Sequence, residues 1–564
     1  MTSPSGPAPR RSPARSPAAP ARAAASGAAA AVVVTLLLLW PALGRGLLLY
    51  RDFVSVPAPV LGPRALGTDG APPRAVPLDA VTALLAPVVP TGVQQQVLLL
   101  ASLALAGAGV AVLLRHRGVL ASVTGAVVVV WSVYAGERLL LGQAPTLMGW
   151  AMTPWLVLAT RRTAALPSWL FGVVFAAMPA ALTPVGAVQA AVTVLVVAGG
   201  ALGGTRQPRA HLVAATAAAL LWSLPWLVPA LRGATGAGDP SGARAFAVSA
   251  GSPLAVLDVL TGGGVWAGGA QLASRGTVAA VAASLGLTVV GLVGWLHPAS
   301  APSVARTRAG RGAVVLAILG IPAAAILAAG PFLGAVEAAQ SVPGLALLRD
   351  AHRVLGVSVL MVALGVGSAV GAVGRRAAAG VDRSGREGRM RPWVGSGAGG
   401  VVSRSRRVGT AVLLVSLAVL GAPDLPARLH AAYRPVAFPA GWEAAVAAAG
   451  GQTALVLPWQ PIRTQSWAGP QPFLDPFPLG HDGLAVSARD LVVVRDGEAV
   501  RVGRQDPAQA QRWAAGELRP GDLDAAGITV VVEWLGTPGT LPERHPGLVE
   551  VYVDEVVRVW RRAR

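Results

Sequence analysis

Arg51 and Asp52 are the residues of this sequence best placed to do chemistry. They fall in the run Leu47-Leu48-Leu49-Tyr50-Arg51-Asp52-Phe53, where the first long apolar stretch ends. A charged pair within a residue or two of a hydrophobic run is expensive to bury, so it belongs at a membrane surface and faces water. A carboxylate there can serve as a general base, and a neighbouring guanidinium can contact an anionic substrate. An arginine beside a base also weakens it unless it is turned toward another anion. Two readings follow: Asp52 is catalytic with Arg51 directed at a phosphate, or the pair only marks an interface. A second polar cluster, Leu348-Arg349-Asp350-Ala351-His352-Arg353, stands just before another apolar run, where it either holds a phosphate or anchors a helix end.

Other chemistries are removed by composition. There is no cysteine, no lysine and no asparagine, so disulfides, thiolate zinc sites, a Walker A lysine and Schiff-base mechanisms are all excluded. The seven histidines lack HxxxH or HExxH spacing, and no Gly-x-Ser-x-Gly elbow is present. Asp522-Leu523-Asp524 matches the DxD pattern that holds a divalent ion in many nucleotide-sugar transferases, but a turn or helix cap before Ala525-Ala526-Gly527 accounts for it equally well. No cofactor is expected.

The elements that must position these residues are membrane helices. The chain has 564 residues, 54% hydrophobic and 13% charged, with a mean hydropathy of +0.59, which is more apolar surface than a soluble fold hides. The net charge of +20 raises nucleic acid as a partner, but the arginines fall in short gaps between apolar runs, which suits topology and anionic lipid head groups. Apolar runs of spanning length lie at 28–49, 94–114, 118–134, 143–160, 167–183, 185–203, 211–231, 277–296, 312–333, 353–374 and 407–422. They predict a polytopic α-helical membrane protein of about 11 spans. Residues 1–27 read as a disordered basic tail and residues 28–422 as the transmembrane domain, with outer loops at 51–93, 232–276 and 334–352. Gly367 and Gly371 mark a close-packing helix face.

The gaps alternate in charge. One set carries Arg115/Arg117, Arg161/Arg162, Arg206/Arg209, Arg306/Arg308/Arg311 and the basic stretch 375–407; the other carries Asp52, Asp69, Asp79, Glu137, Asp239, Asp258, Glu337 and Asp350. The positive-inside rule puts the first set and the N-terminus in the cytoplasm of a plasma-membrane protein, and an odd number of spans puts residues 423–564 outside. That last segment reads as an extracytoplasmic α/β domain. Its strands are expected at 453–457, 490–494, 528–532 and 549–553 and its helices at 442–449 and 507–515. Trp459, Trp467, Phe473 and Phe477 occupy a Pro-rich loop that either stacks on sugar rings or packs on itself. Ionisable groups are scarce within the spans, which disfavours coupled transport.

The run Tyr134-Ala135-Gly136-Glu137-Arg138-Leu139-Leu140-Leu141-Gly142-Gln143, continuing to Gly149-Trp150-Ala151-Met152-Thr153-Pro154-Trp155, resembles a segment of actinobacterial GT-C glycosyltransferases. These are arabinofuranosyl- and mannosyltransferase-like enzymes of cell-envelope assembly. The loop 252–266 and the Arg349-Asp350 element resemble the same group. The resemblance implies a GT-C-like fold with an outward active site that uses a polyprenyl-phosphate sugar as donor and an envelope glycan as acceptor. It also implies an acidic base soon after the first helix, a position Asp52 matches. On the same footing Glu137 positions the acceptor, while Arg138, Arg349, His352 and Arg353 contact the donor phosphate. A non-catalytic envelope scaffold or a lipid-linked saccharide flippase is the competing reading, and the apolar spans speak against the flippase.

Overall fold

The computed structural model describes residues 18–200, 209–232, 239–249, 253–297, 308–328, 332–342, 349–383, 396–495, 498–503 and 505–563. Among these, seven helices are long and apolar enough to cross a membrane: Ala18–Leu43, Thr91–Arg117, Val119–Leu140, Arg209–Arg232, Val278–Leu296, Gly310–Ala328 and Ala351–Val373. The pair Arg404–Gly421 and Leu425–Ala432, bent by 53°, makes an eighth if it counts as one span. The chain is a multi-pass membrane protein. All eight fall on expected apolar runs. The other three runs form Ala144–Thr160, Leu166–Ala177 and Pro184–Ala198, of 17, 12 and 15 residues. At 1.5 Å per residue even the longest reaches only about 26 Å, short of a hydrocarbon core about 30 Å thick. The described helices therefore give seven or eight full-length spans where hydropathy suggests eleven.

The first helix starts at Ala18, so the last ten residues of the expected disordered tail, 18–27, are helical. Alanine and arginine favour helix strongly, and that propensity prevails over the low complexity of the segment. Residues 1–17 of that tail lie outside the described residues.

Helix packing relies on small residues. A lipid-facing bundle lacks a hydrophobic drive between its helices, so close backbone approach and dispersion hold it together. Gly107 meets Ala31 and Val130, Gly367 sits on Leu114 and Ala121, and Gly371 rests on Arg117, as expected of a close-packing face. The tightest crossing joins Val278–Leu296 to the helix Leu355–Arg383, where Gly291 and Gly294 face Gly365 backbone to backbone.

Asp52, Glu137, Asp258 and Asp350 gather with several arginines at one end of this bundle. Helix Thr91–Leu114 runs from that end: Gln95, in its second turn, clamps the Leu48 backbone with paired bonds of 2.9 Å, while Arg115, His116 and Arg117 follow its far end. Its 24 residues span about 36 Å, a bilayer's thickness.

The C-terminal domain caps the acidic end. Its five-stranded sheet runs, from one edge to the other, Leu548–Val553, Val557–Arg562, Val530–Trp534, Ala454–Leu457 and Ala485–Val486. Ala454–Leu457 is parallel to both its neighbours, and the other two pairings, which join Val557–Arg562 to Leu548–Val553 and to Val530–Trp534, are antiparallel. Helix Trp442–Ala449 lies where expected, as does Pro507–Ala514 within one residue. The expected strand at 490–494 forms instead a separate hairpin, Leu491–Arg495 with Glu498–Val502. The Pro-rich loop contains another, Ile462–Gln465 with Gly469–Leu474. Its aromatics pack on protein: Phe473 and Phe477 are fully buried, Trp459 meets Trp513 edge-on at 4.7 Å, and Trp467 meets Phe438 and Phe473.

A side chain at Gly365 would collide with the Gly291 carbonyl, whereas one at Gly172 meets nothing within 4 Å. Gly365→Val is expected to destabilise the bundle by about 1–3 kcal/mol or more. Gly172→Ala should leave it unchanged, as read by thermal unfolding in detergent.

Candidate functional site

Asp52 is presented by a tight turn. Tyr50 and Phe53 exchange backbone bonds of 3.0 and 2.8 Å, which leaves Arg51 and Asp52 at the tip. Arg51 takes φ +49°, a left-handed conformation uncommon for a residue with a side chain. Three sets of contacts hold it there. The Arg51 amide donates to the Pro472 carbonyl at 2.7 Å and its carbonyl accepts from the Leu474 amide at 2.8 Å, so the turn is stitched to the C-terminal hairpin. The Tyr50 hydroxyl donates to the Leu140 carbonyl, and the Tyr50 and Tyr433 rings pack 5.4 Å apart. Gly142, at φ +76°, lies against the turn; a Cβ there would stand 2.6 Å from the Tyr50 carbonyl oxygen and 2.7 Å from the Asp52 amide nitrogen. The Asp52 side chain itself is exposed.

From Asp52 a polar chain runs into the bundle. Gln143 Nε2 faces Asp52 Oδ2 at 3.4 Å, and Gln143 Oε1 accepts from Arg138 Nη1 at 2.9 Å. The same guanidinium grips Asp350 in a bidentate pair, Nη1 to Oδ2 at 2.6 Å and Nη2 to Oδ1 at 2.9 Å. Arg353 Nε approaches Asp350 Oδ2 at 3.2 Å. Burial alone would raise the Asp350 carboxyl, but Arg138 and Arg353 more than offset it and hold it well below the usual carboxylate range.

A parallel latch holds the loop after helix Pro253–Leu260. Glu137 is fully buried and accepts the Val265 amide at 3.0 Å. His352, equally buried, reaches the Gly262 carbonyl with Nε2 at 3.1 Å, a bond that requires the proton on Nε2, and the same atom stands 3.4 Å from Glu137. Arg275 completes the latch by bonding Asp258 (2.5 Å), Thr261 (2.7 Å), Ser284 (2.8 Å) and the Gly421 carbonyl (2.8 Å). Burial and the nearby Glu137 push the Asp258 carboxyl up to about 6 despite Arg275.

The six sequence-selected residues thus converge at one end of the bundle, but in two tiers. Asp52, Arg349 and Arg353 keep accessible surface, whereas Arg138, His352 and Glu137 are enclosed and engaged with protein. Arg138, His352 and Glu137 have no exposed surface in this structure and bond to protein.

Sequence reading missed Arg74 as a site residue. Its side chain is exposed, with Asp52 and Arg64 near enough to act on its charge. Arg349 stands over the Phe246 ring at 4.5 Å. Burial, then Arg74 and Arg353, lower its pKa to about 10. Among the described residues, Arg74, Arg349 and the Arg51 side chain have no carboxylate or carbonyl partner within hydrogen-bonding distance. Arg74 falls in a stretch without hydrophobic periodicity, and its only sequence signal was that the loop is long. By contrast Asp522 and Asp524, the DxD pair, are taken by Arg512 at 2.9 Å and Arg562 at 2.6 Å.

The outer loop 51–93 is tied to the C-terminal domain through Arg489, which bonds the Asp69 carbonyl at 3.1 Å, and is braced internally by Arg64, placed 3.8 Å from Asp69 and 3.7 Å from Asp79. Burial pushes the Asp79 carboxyl up to about 6 in spite of Arg64.

Asp350→Asn is expected to destabilise the fold by about 3–5 kcal/mol because it leaves the buried Arg138 charge uncompensated. Asp52→Asn, at an exposed position, should change thermal stability by less than about 0.5 kcal/mol. Asp79 holds its proton more tightly folded than unfolded, so its contribution to stability declines as pH rises from about 4 through 6. The melting temperature of Asp79→Asn should therefore gain on wild type between pH 4.5 and pH 7.5; a constant difference would refute the assignment.

No protein-family profile and no curated protein sequence matches the chain. Among solved structures it superimposes on the mycobacterial arabinofuranosyltransferase AftD with a TM-score of 0.49 and 18% identity. The alignment covers 96% of this chain and 41% of that one, so this chain spans less than half the length of that enzyme.

Proposed function

We propose that the protein is a membrane glycosyltransferase of the GT-C type, which moves a sugar from a polyprenyl-phosphate donor to an envelope glycan acceptor. The observation that carries the reading is one exposed carboxylate, Asp52, near Arg74 and Arg353, with Arg349 beside these two; among the described residues neither Arg74 nor Arg349 has a carboxylate within hydrogen-bonding distance. That combination suits a reaction in which a hydroxyl loses a proton while a phosphate departs. Asp52 takes the proton of the acceptor hydroxyl as that oxygen attacks the anomeric carbon. The bond from this carbon to the donor phosphate oxygen breaks, and polyprenyl phosphate leaves with the electron pair. Arg74, Arg349 and Arg353 receive its negative charge, and Asp52 later returns the proton to water. Gln143 fixes the carboxylate from one side, and Arg51, directed toward Gly269, leaves Asp52 free to act as base.

In this reading the acidic end of the bundle and the C-terminal domain lie outside the plasma membrane and the N-terminus lies in the cytoplasm. Membrane lipid carries the donor, and no divalent metal is assigned to the step.

Transfer from a radiolabelled polyprenyl-phosphate sugar, measured in membranes, tests the proposal. Asp52→Asn should lose activity by about 10²-fold or more. Arg74→Gln should raise KM for the donor by about tenfold, the loss of one charge-assisted contact. Wild-type transfer by Asp52→Asn would discard Asp52 as the base, and absence of transfer by the wild type itself would leave a scaffold or a flippase as the reading.

A further inference from the structure

An arginine can be fixed in a protein in two ways. A carboxylate partner holds the guanidinium but cancels its charge and occupies its N–H edge, whereas an aromatic ring takes the flat face and leaves charge and edge free. Arg138 and Arg275 are held in the first way, at 2.6 Å from Asp350 and 2.5 Å from Asp258. Arg349 is held in the second, with its Cζ 4.5 Å from the centroid of the Phe246 ring. The other four arginine–ring pairs among the described residues lie at 5.8 Å, and in three of them the arginine, Arg138, Arg463 or Arg558, also meets a carboxylate.

The ring is itself immobilised. Phe246 is buried and meets Trp266 edge-on, with centroids 4.7 Å apart and planes at 88°. Trp266 belongs to the loop latched by Glu137 and His352, and the Ser249 amide ties that loop to the segment after Phe246 by donating to the Gly264 carbonyl at 2.9 Å. Phe246 also packs with Val493 and Val502, one from each strand of the hairpin Leu491–Arg495 and Glu498–Val502. A lone two-stranded hairpin is marginally stable in water, so this docking gives it a fixed place. Two bonds clamp it there: the Ser241 hydroxyl donates to the Arg501 carbonyl at 2.9 Å, and the Gly503 amide donates to the Asp239 carboxylate at 2.8 Å. Gly242 faces both sides of the stack, since a Cβ there would lie 3.4 Å from Val502 Cγ1 and 3.5 Å from Arg349 Cδ.

We propose that Phe246 is a positioning residue for the donor phosphate: its ring seats the Arg349 guanidinium by the face and leaves the charge and the N–H edge to the phosphate. The proposal rests on the glycosyltransferase reading above, which gives Arg349 that phosphate.

Binding of undecaprenyl phosphate to the full-length protein in detergent, followed by thermophoresis, tests it, with undecaprenol, which lacks the phosphate, as comparator. Wild type should bind the phosphate at least about tenfold more tightly than the alcohol, and Arg349→Gln should lose about tenfold. Phe246→Leu, which keeps apolar bulk without a π face, should weaken phosphate binding about three- to tenfold. Pentafluorophenylalanine at position 246 keeps a flat ring of nearly the same size but withdraws the negative charge of its face, and should do the same with an unchanged melting temperature. In the Arg349→Gln background neither change should cost more than about twofold. Wild-type affinity with the fluorinated ring, equal losses with and without Arg349, or no preference of wild type for phosphate over alcohol overturns the assignment. Where Phe246→Leu fails to fold, the fluorinated ring decides. The assay contains no sugar and no acceptor, so the two proposals fail separately. Coupling of Phe246 to Arg349 without sugar transfer by wild type removes the transferase and keeps the seat, whereas transfer with additive losses removes the seat alone.

Discussion

The acidic end of the bundle depends on the buried pair of Arg138 and Asp350. A guanidinium and a carboxylate taken out of water each carry several kcal/mol of desolvation cost, and only a bidentate geometry with the remaining donors engaged offsets it. Here the pair joins residues 212 positions apart, one in the helix Val133–Leu140 and one at the entrance of another span. The arrangement fixes more than two helices. Arg138 also orients Gln143, because donation to Oε1 leaves the Gln143 amide nitrogen for Asp52. An interior ion pair thereby dictates the setting of a surface carboxylate.

The latch of Glu137 and His352 does comparable work for the loop at 262–272. Loops are where catalytic groups are commonly mounted, and their weakness is mobility. A site held to within a fraction of an ångström needs support behind it. This chain supplies it from three directions: side-chain bonds from the bundle, backbone bonds from the C-terminal hairpin, and the close approach that only glycine at 142 permits. The C-terminal domain is thus part of the wall around Asp52, with Pro472 and Leu474 in direct register with Arg51.

Much of this was legible in the sequence, and for identifiable reasons. Apolar runs of membrane length and the separation of acidic from basic gaps report the solvent each segment meets, which is a one-dimensional property. The helices Trp442–Ala449 and Pro507–Ala514 likewise follow from local periodicity. What escaped depends on three dimensions. Residue type marked Arg138, His352 and Glu137 as chemically capable, but only packing shows that their polar atoms are turned inward. Arg74 is the converse case, since nothing local distinguishes it from other loop arginines and its meaning comes from the neighbours that folding brings to it. The number of spans is less legible, because hydropathy measures how apolar a segment is, and not whether its helix stays unbroken for the width of a bilayer.

The division between satisfied and unsatisfied arginines gives the site its direction. Arg138 and Arg275 have carboxylate partners within 2.6 Å, so their charges are neutralised inside the protein. Arg74 and Arg349 repel one another. Their loops nonetheless hold them there, one tied to the C-terminal domain by Arg489 and the other continuous with the Asp350 pair. On the proposed function, an anion bound beside them relieves that repulsion, and an anion whose charge grows as a bond breaks relieves it further. The preference for the more charged state over the less charged one is what distinguishes transition-state stabilisation from mere binding. Asp52 reduces the net field at Arg74, so on that reading the positive charge left after Asp52 is counted is what favours a departing phosphate.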